Sequence, residues 1–279
     1  MISKQGARWL LAILALIGLL SLLGACQPLG ERSERASSDW SRGSRLGRAS
    51  ANDTVALLPS AANGQTYLAW ATRRDFDGIE QLHLVILDQT GRAVAERDLD
   101  VETSRPGRLT LAPSEDGLHL LWIDRLGARR QLRHILLDAQ GWPVSEATAL
   151  SPEEIMVDSY ALAVRPDGSL DLVLGAVEGE LTGLFHLALA PDGSPHAPLA
   201  PLGAPGFDPA LRYDAAGALH TLWTQAPDYG ERQVFYGVLD LATRALQQVT
   251  RLATYPVGVG LVGHPPALGL TDAEEYVFW

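Results

Sequence analysis

Seven histidines and seven tryptophans are the residues of this 279-residue chain whose types and spacing could do chemistry. His83, His134 and His186 open three similar runs, HLVILDQTG, HILLDAQG and HLALAPDG, at intervals of 51 and 52 residues. A metal ion needs its imidazoles to converge on one point. Residues that recur once per repeat are instead held apart by the repeat, so a packing or hydrogen-bonding role at equivalent strand positions is expected, and no metal site. His119 and His220 receive the same reading. Trp70, Trp122, Trp223 and Trp279 could stack on sugars, but their regular spacing predicts a place in the core. Asp75-Phe76-Asp77-Gly78 resembles the start of a calcium loop. It lacks the third oxygen ligand and the distal glutamate of the EF-hand pattern, so a polar hairpin turn is expected. No cofactor is predicted.

The elements that carry these residues repeat. Gly64-QTYLAW, Gly117-LHLLW, Gly168-SLDLVL and Gly217-ALHTLW each follow a turn and open a strand. Three close on tryptophan and one on Leu174, at spacings of 52, 52 and 49 residues. A fifth copy, PALGLTDAEEYVFW, ends on Trp279, 56 residues after Trp223. The histidine runs keep the same period, with Tyr236-GVLD as fourth counterpart. In the fourth repeat ALRYD, LHTLWTQ, QVFYGVLD and LQQVTRLA read as four strands separated by Gly, Asp and Pro signals. No segment after residue 50 shows a sustained helical period. A period near 50 with four strands per repeat predicts an all-β fold, a β-propeller of four-stranded blades. About four repeats are complete and a fifth is partial, as in the N-terminal part of a six-bladed propeller.

The first 26 residues read differently. Lys4 and Arg8 precede an uncharged run from Trp9 to Ala25. Its 17 residues fall short of the roughly 20 that comfortably span a bilayer and fit a secretory signal. The run ends Leu23-Gly24-Ala25-Cys26, which resembles the bacterial lipobox. The resemblance implies cleavage before Cys26, lipidation of its sulfur, and a mature protein held on the outer face of a bacterial membrane in the cell envelope. Cys26 is the only cysteine, so no intramolecular disulfide can form, and a lone exported cysteine calls for such a role. Three segments follow: signal 1–25, lipidated cysteine and tether 26–50, propeller repeats 51–279.

Residues 27–50 carry five arginines against Glu31, Glu34 and Asp39, with no apolar period. Such a stretch cannot bury enough surface to offset its ordering entropy and reads as a flexible stalk. Residues 51–279 hold 15 basic and 30 acidic residues. That balance excludes nucleic acid as a partner, because phosphate binding needs clustered cations.

Pro209, Leu211, Asp214, Gly217, His220 and Trp223 form a pattern that resembles repeats of the sialidase-like, BNR-type propeller superfamily. The resemblance implies a mouth where arginines hold a carboxylate, a Tyr-Glu pair supplies a nucleophile and an Asp serves as acid/base. Loops between second and third strands offer Arg73, Arg74, Asp124, Glu178, Glu180, Asp228, Tyr229 and Glu231. No Arg-Ile-Pro segment is present, and no catalytic residue is assigned. The sequence therefore favours a binding or scaffold module for a protein or glycan partner over a glycoside hydrolase. Arginines and carboxylates converging on one mouth would shift the balance toward the hydrolase.

Overall fold

The computed structural model describes residues 55–60, 63–73, 80–179, 181–226, 230–256, 266–270 and 275–278. The lipobox, the stalk, Trp279 and the Asp75–Gly78 turn lie outside these residues.

Every described element is a strand. The first blade comprises β1 (Ala56–Pro59), β2 (Thr66–Arg73), β3 (Glu80–Leu87) and β4 (Ala93–Thr103). The second comprises β5 (Gly107–Pro113), β6 (Gly117–Leu126), β7 (Arg129–Asp138) and β8 (Thr148–Ala149). The third comprises β9 (Ile155–Val164), β10 (Leu170–Glu178), β11 (Leu181–Leu189) and β12 (Ala200–Pro201). The fourth comprises β13 (Phe207–Tyr213), β14 (Leu219–Gln225), β15 (Glu231–Asp240) and β16 (Ala245–Pro256). A hairpin of β17 (Ala267–Leu270) and β18 (Glu275–Phe278) begins a fifth sheet. Each complete sheet is an antiparallel meander in chain order, so the sequence repeat is a blade and the fold is a partial β-propeller.

Turn chemistry fixes the meander. Asp88, Asp138, Asp192 and Asp240 each accept backbone N–H groups two residues on, closing the turn after the third strand. Such short side chains mimic a backbone turn. The outermost strands β8 and β12 are two residues long. Ahead of them, Pro143 and Pro195 make isolated bridges to Leu137 and Leu189, and a proline cannot donate to a ladder.

Three cores hold the blades face to face. The first joins Tyr67, Ala69, Leu82 and Leu84 to Leu118, Leu120 and Trp122. The second joins Leu121, Ile123 and Leu132 to Val157, Leu170, Leu172 and Leu174. The third joins Val173 and Leu184 to Leu219, Trp223 and Leu239. Strand alternation sends successive residues to opposite seams: Leu120 and Trp122 face the first blade, Leu121 and Ile123 the third.

Trp122 and Trp223 thus occupy blade seams as expected, each fully buried. Trp70 stands at the same strand position, but its neighbours Ala69 and Ala71 are the residues that face the second blade. Its ring projects from the opposite face of the first sheet and is buried there, so it too is a core residue as expected, though outside the three seam cores.

The expectation that His83, His134 and His186 are equivalent is corrected by the register. His83 lies directly opposite Trp70. The partner of Trp122 is Arg133, and that of Leu174 is Phe185. His134 and His186 therefore lie one residue further along and point to the other face, as does Tyr236 opposite Leu222.

Candidate functional site

Polar residues gather in two layers. The inner one is a buried pair repeated in three blades between second and third strands. His119 and His134 share a hydrogen bond of 3.0 Å, Nδ1 to Nε2. At the same place His186 Nε2 lies 2.8 Å from Asp171 Oδ1, and His220 Nδ1 lies 2.6 Å from the Tyr236 hydroxyl.

The environment of each pair sets its charge. Burial holds His119 down at about 4, against weaker opposing pulls from the Gly168 backbone and Asp192. Burial, then the neighbouring His119, holds His134 at about 3. The Gly193 backbone presses on the His134 ring, where a Cβ would come within 2.2 Å of Cε1. Asp171 is fully buried. Burial pushes its carboxyl up, but hydrogen bonds from His186, Tyr213 and Arg165 outweigh it and leave the group below the usual carboxylate range. Arg165 grips Asp171 through Nε at 2.5 Å and Nη2 at 2.9 Å. Burial and the hydrogen bond to Asp171 push the Tyr213 phenol up to about 12. These groups are locked into blade seams, and they bear out the expected hydrogen-bonding role of His134, His186, His119 and His220.

The second layer is open. A cleft of about 710 Å³ lies at the end of the blades where second strands finish and third strands begin. Arg108, Arg125, Arg130, Asp158, Asp208 and Gln225 supply its polar walls, and Phe207 its aromatic one. Three of these residues sit on β-bulges. The ladder slips between Gly107 and Thr110, at Asp158 between Val157 and Ser159, and between Phe207 and Ala210. Arg108 and Asp208 take left-handed φ values of 52° and 48°. A bulge re-aims a side chain, and here it turns one charged residue per blade toward the cleft.

The charges are cross-linked over long sequence distances. Arg108 Nη2 donates to Asp208 Oδ1 at 2.7 Å, joining the second blade to the fourth. Arg232 Nη1 approaches Asp208 Oδ2 at 3.6 Å, and its guanidinium lies 5.0 Å from the centre of the Phe207 ring. Arg130 pairs with Asp158. From the third blade Ser159 accepts the Asp208 backbone N–H at 2.8 Å, and Tyr160 donates to the Arg108 carbonyl at 2.5 Å. Among the described residues no ion pair engages Arg125.

Of the candidates read from the sequence, three have side chains among the described residues. Asp124 is buried and structural: it accepts from Thr103 Oγ1 at 2.9 Å and the Ser104 N–H at 3.0 Å, tying the exit of the first blade to the second. Glu178 and Glu231 are exposed at strand ends. Arg74, Glu180, Asp228, Tyr229 and the side chain of Arg73 lie outside the described residues. Arg108, Asp158 and Asp208 were missed. Pro209 precedes the strand ALRYD in the sequence reading, whereas the structure places it inside β13 at the bulge, where a residue that cannot donate to the ladder is tolerated. No group of three or more His, Cys, Asp or Glu able to hold a metal ion occurs among the described residues.

Among solved structures the chain is similar to a protein of unknown function from Dyadobacter fermentans. The TM-score is 0.53 at 9% identity, over 77% of this chain and 67% of that one. This likeness is one of fold. An endo-arabinase from Bacteroides thetaiotaomicron matches at TM-score 0.49 and 12% identity, over 71% of this chain and 78% of that one. An exo-β-1,3-galactanase from Clostridium thermocellum matches at 0.46 and 15%, over 71% of this chain and 47% of that one. No protein-family model and no curated protein matches the chain.

Proposed function

We propose that the chain is a lipid-anchored binding propeller of the bacterial cell envelope, taking a carboxylate-bearing glycan in the mouth cleft. One observation carries the reading. Three arginines face two aspartates in the cleft, a positive surplus in a region whose net charge is −15. A guanidinium presents a planar fork to a carboxylate, and Phe207 adds an apolar wall for a sugar ring. Both cleft carboxylates already pair with guanidinium groups. That arrangement suits charge balance better than the protonated acid that glycoside cleavage requires.

Calorimetric titration with a uronic-acid oligosaccharide and its carboxyl-reduced counterpart tests the ligand. The acidic form is expected to bind at least about tenfold more tightly, a difference of about 1.4 kcal/mol. Arg125→Ala should remove most of that difference while leaving the circular dichroism unchanged. Equal affinity for both sugars would sink the carboxylate reading.

The convergence of Asp158 and Asp208 with arginines favours a second reading, a sialidase-like glycoside hydrolase. Release of reducing ends that disappears in Asp208→Asn would establish it.

The anchor is tested separately. An alkynyl fatty acid fed to producing cells is expected to label the wild-type chain, and Cys26→Ser should abolish the label and free the protein from membranes. Several acyl chains hold firmly because each buried methylene contributes about 0.8 kcal/mol. Persistent labelling of Cys26→Ser would refute the assignment.

A further inference from the structure

We propose that the first blade carries a hydrolytic centre made of Thr72, His83 and Asp98, acting on a small carboxylic ester. The three residues stand on adjacent strands β2, β3 and β4. His83 Nδ1 lies 2.6 Å from Asp98 Oδ1, and His83 Nε2 lies 2.5 Å from Thr72 Oγ1. A carboxylate on Nδ1 holds the proton there and leaves the Nε2 lone pair facing the hydroxyl, which is the nucleophile–base–orienter geometry of acyl-transfer sites.

Two comparisons within the molecule set this group apart. The first is between histidines. His119 and His134 bond to each other, His186 presents Nε2 to Asp171, and His220 has Tyr236 on Nδ1 and Asp214 on Nε2. Only His83 among these pairs a carboxylate on Nδ1 with an aliphatic hydroxyl on Nε2. It also reaches solvent: its side chain is 19% exposed and that of Asp98 is 67% exposed.

The second comparison is between blades. The places of Thr72 and His83 are taken by Asp124 and Arg133 in the second blade, a 3.4 Å ion pair. They are taken by Ala176 and Phe185 in the third, and by Gln225 and Phe235 in the fourth. Blade architecture therefore does not require a hydroxyl and an imidazole here. Trp70, itself buried, stacks on His83 with ring centres 5.5 Å apart, which shields one imidazole face and leaves the other edge of the ring toward Thr72 and Asp98.

The chemistry balances without a cofactor. Thr72 Oγ1 attacks the ester carbonyl carbon while its proton passes to His83 Nε2, and the carbonyl π pair moves onto oxygen. Collapse breaks the bond to the alcohol, which departs with the proton from Nε2 and leaves an acyl-threonine. Water gives a proton to Nε2, attacks the acyl carbon, and releases the acid as Thr72 regains its proton.

The test is hydrolysis of 4-nitrophenyl acetate by the full mature chain, with mass analysis of the peptide that contains Thr72. Thr72→Val keeps the shape and removes the hydroxyl, and should lower kcat/KM by about 100-fold or more. Thr72→Ser should retain activity, and Asp98→Asn should lower it by up to about 10⁴-fold, because the amide imposes the wrong tautomer on His83. An acetyl group should appear on the Thr72 peptide before steady state. Unchanged hydrolysis by Thr72→Val, an adduct on another residue, or no adduct would overturn the proposal.

Discussion

Taken from pH 7 to pH 4, the protein should lose on the order of 3–6 kcal/mol of stability through His119 and His134 alone. Both imidazoles are held down in the folded state, to about 4 and about 3 from an ordinary 6.5. A depressed histidine binds its proton more weakly folded than unfolded. Below pH 6.5 the unfolded chain therefore takes up protons that the folded one refuses, and the balance tips toward unfolding by about 1.4 kcal/mol per pH unit per group. The loss begins near pH 6.5, grows down to pH 4 to 3, and is absent above pH 7. The lowered aspartates, Asp171 among them, add their loss only below about pH 4. Urea unfolding followed by tryptophan fluorescence at pH 7, 5.5 and 4 measures the slope. In the double variant His119→Gln, His134→Gln the slope across this window should flatten. An unchanged slope would show that other groups govern acid stability. The pair joins β6 to β7 and packs beneath turns of the third blade at Gly168 and Gly193, so acid acts first on the seam between second and third blades.

Trp122→Ala and Trp223→Ala should each cost about 3–5 kcal/mol, and Trp70→Ala clearly less. Trp122 and Trp223 are fully buried between blades. The slot around Trp223 is shaped to the ring. Phe235 stacks on it at 5.6 Å, and a Cβ at Gly206 would come within 2.4 Å of Cδ1. Removing the indole leaves a cavity between two rigid sheets that close poorly over it. Trp70 projects from the far face of the first sheet and enters none of the three seam cores. Chemical denaturation of the three variants ranks them. Equal losses would mean that the first sheet is covered as tightly on its outer face as between blades.

The strand parse of the fourth repeat shows how far local pattern reaches. ALRYD, LHTLWTQ, QVFYGVLD and LQQVTRLA fall within or almost wholly within β13, β14, β15 and β16, because turn residues and alternating apolar residues act over a few positions. The histidine equivalence failed for a reason that is also physical. In β2–β3 the paired ends Arg73 and Glu80 leave six residues between them, whereas Leu126 and Arg129 leave two in β6–β7. The marker spacing of 51 and 52 residues survives that difference, but the face does not. A one-residue slip in a strand with a period of two reverses the side chain. His83 therefore parts from His134 and His186, and meets Thr72 and Asp98 on the opposite surface.

The mouth cleft needed the third dimension altogether. Arg108 and Asp208 are 100 residues apart and meet only because inner strands of alternate blades converge there. Their bulges arise where the ladder slips, which depends on how neighbouring strands pair. The sequence by itself determined the repeat, the four-stranded blade, the seam tryptophans Trp122 and Trp223 and the acidic surface, since hydrophobic period, turn chemistry and charge are properties of short segments. Tertiary structure decided which face each polar residue occupies, which histidines pair, and which arginines share a cleft, since those follow from register and from contacts between blades far apart in sequence.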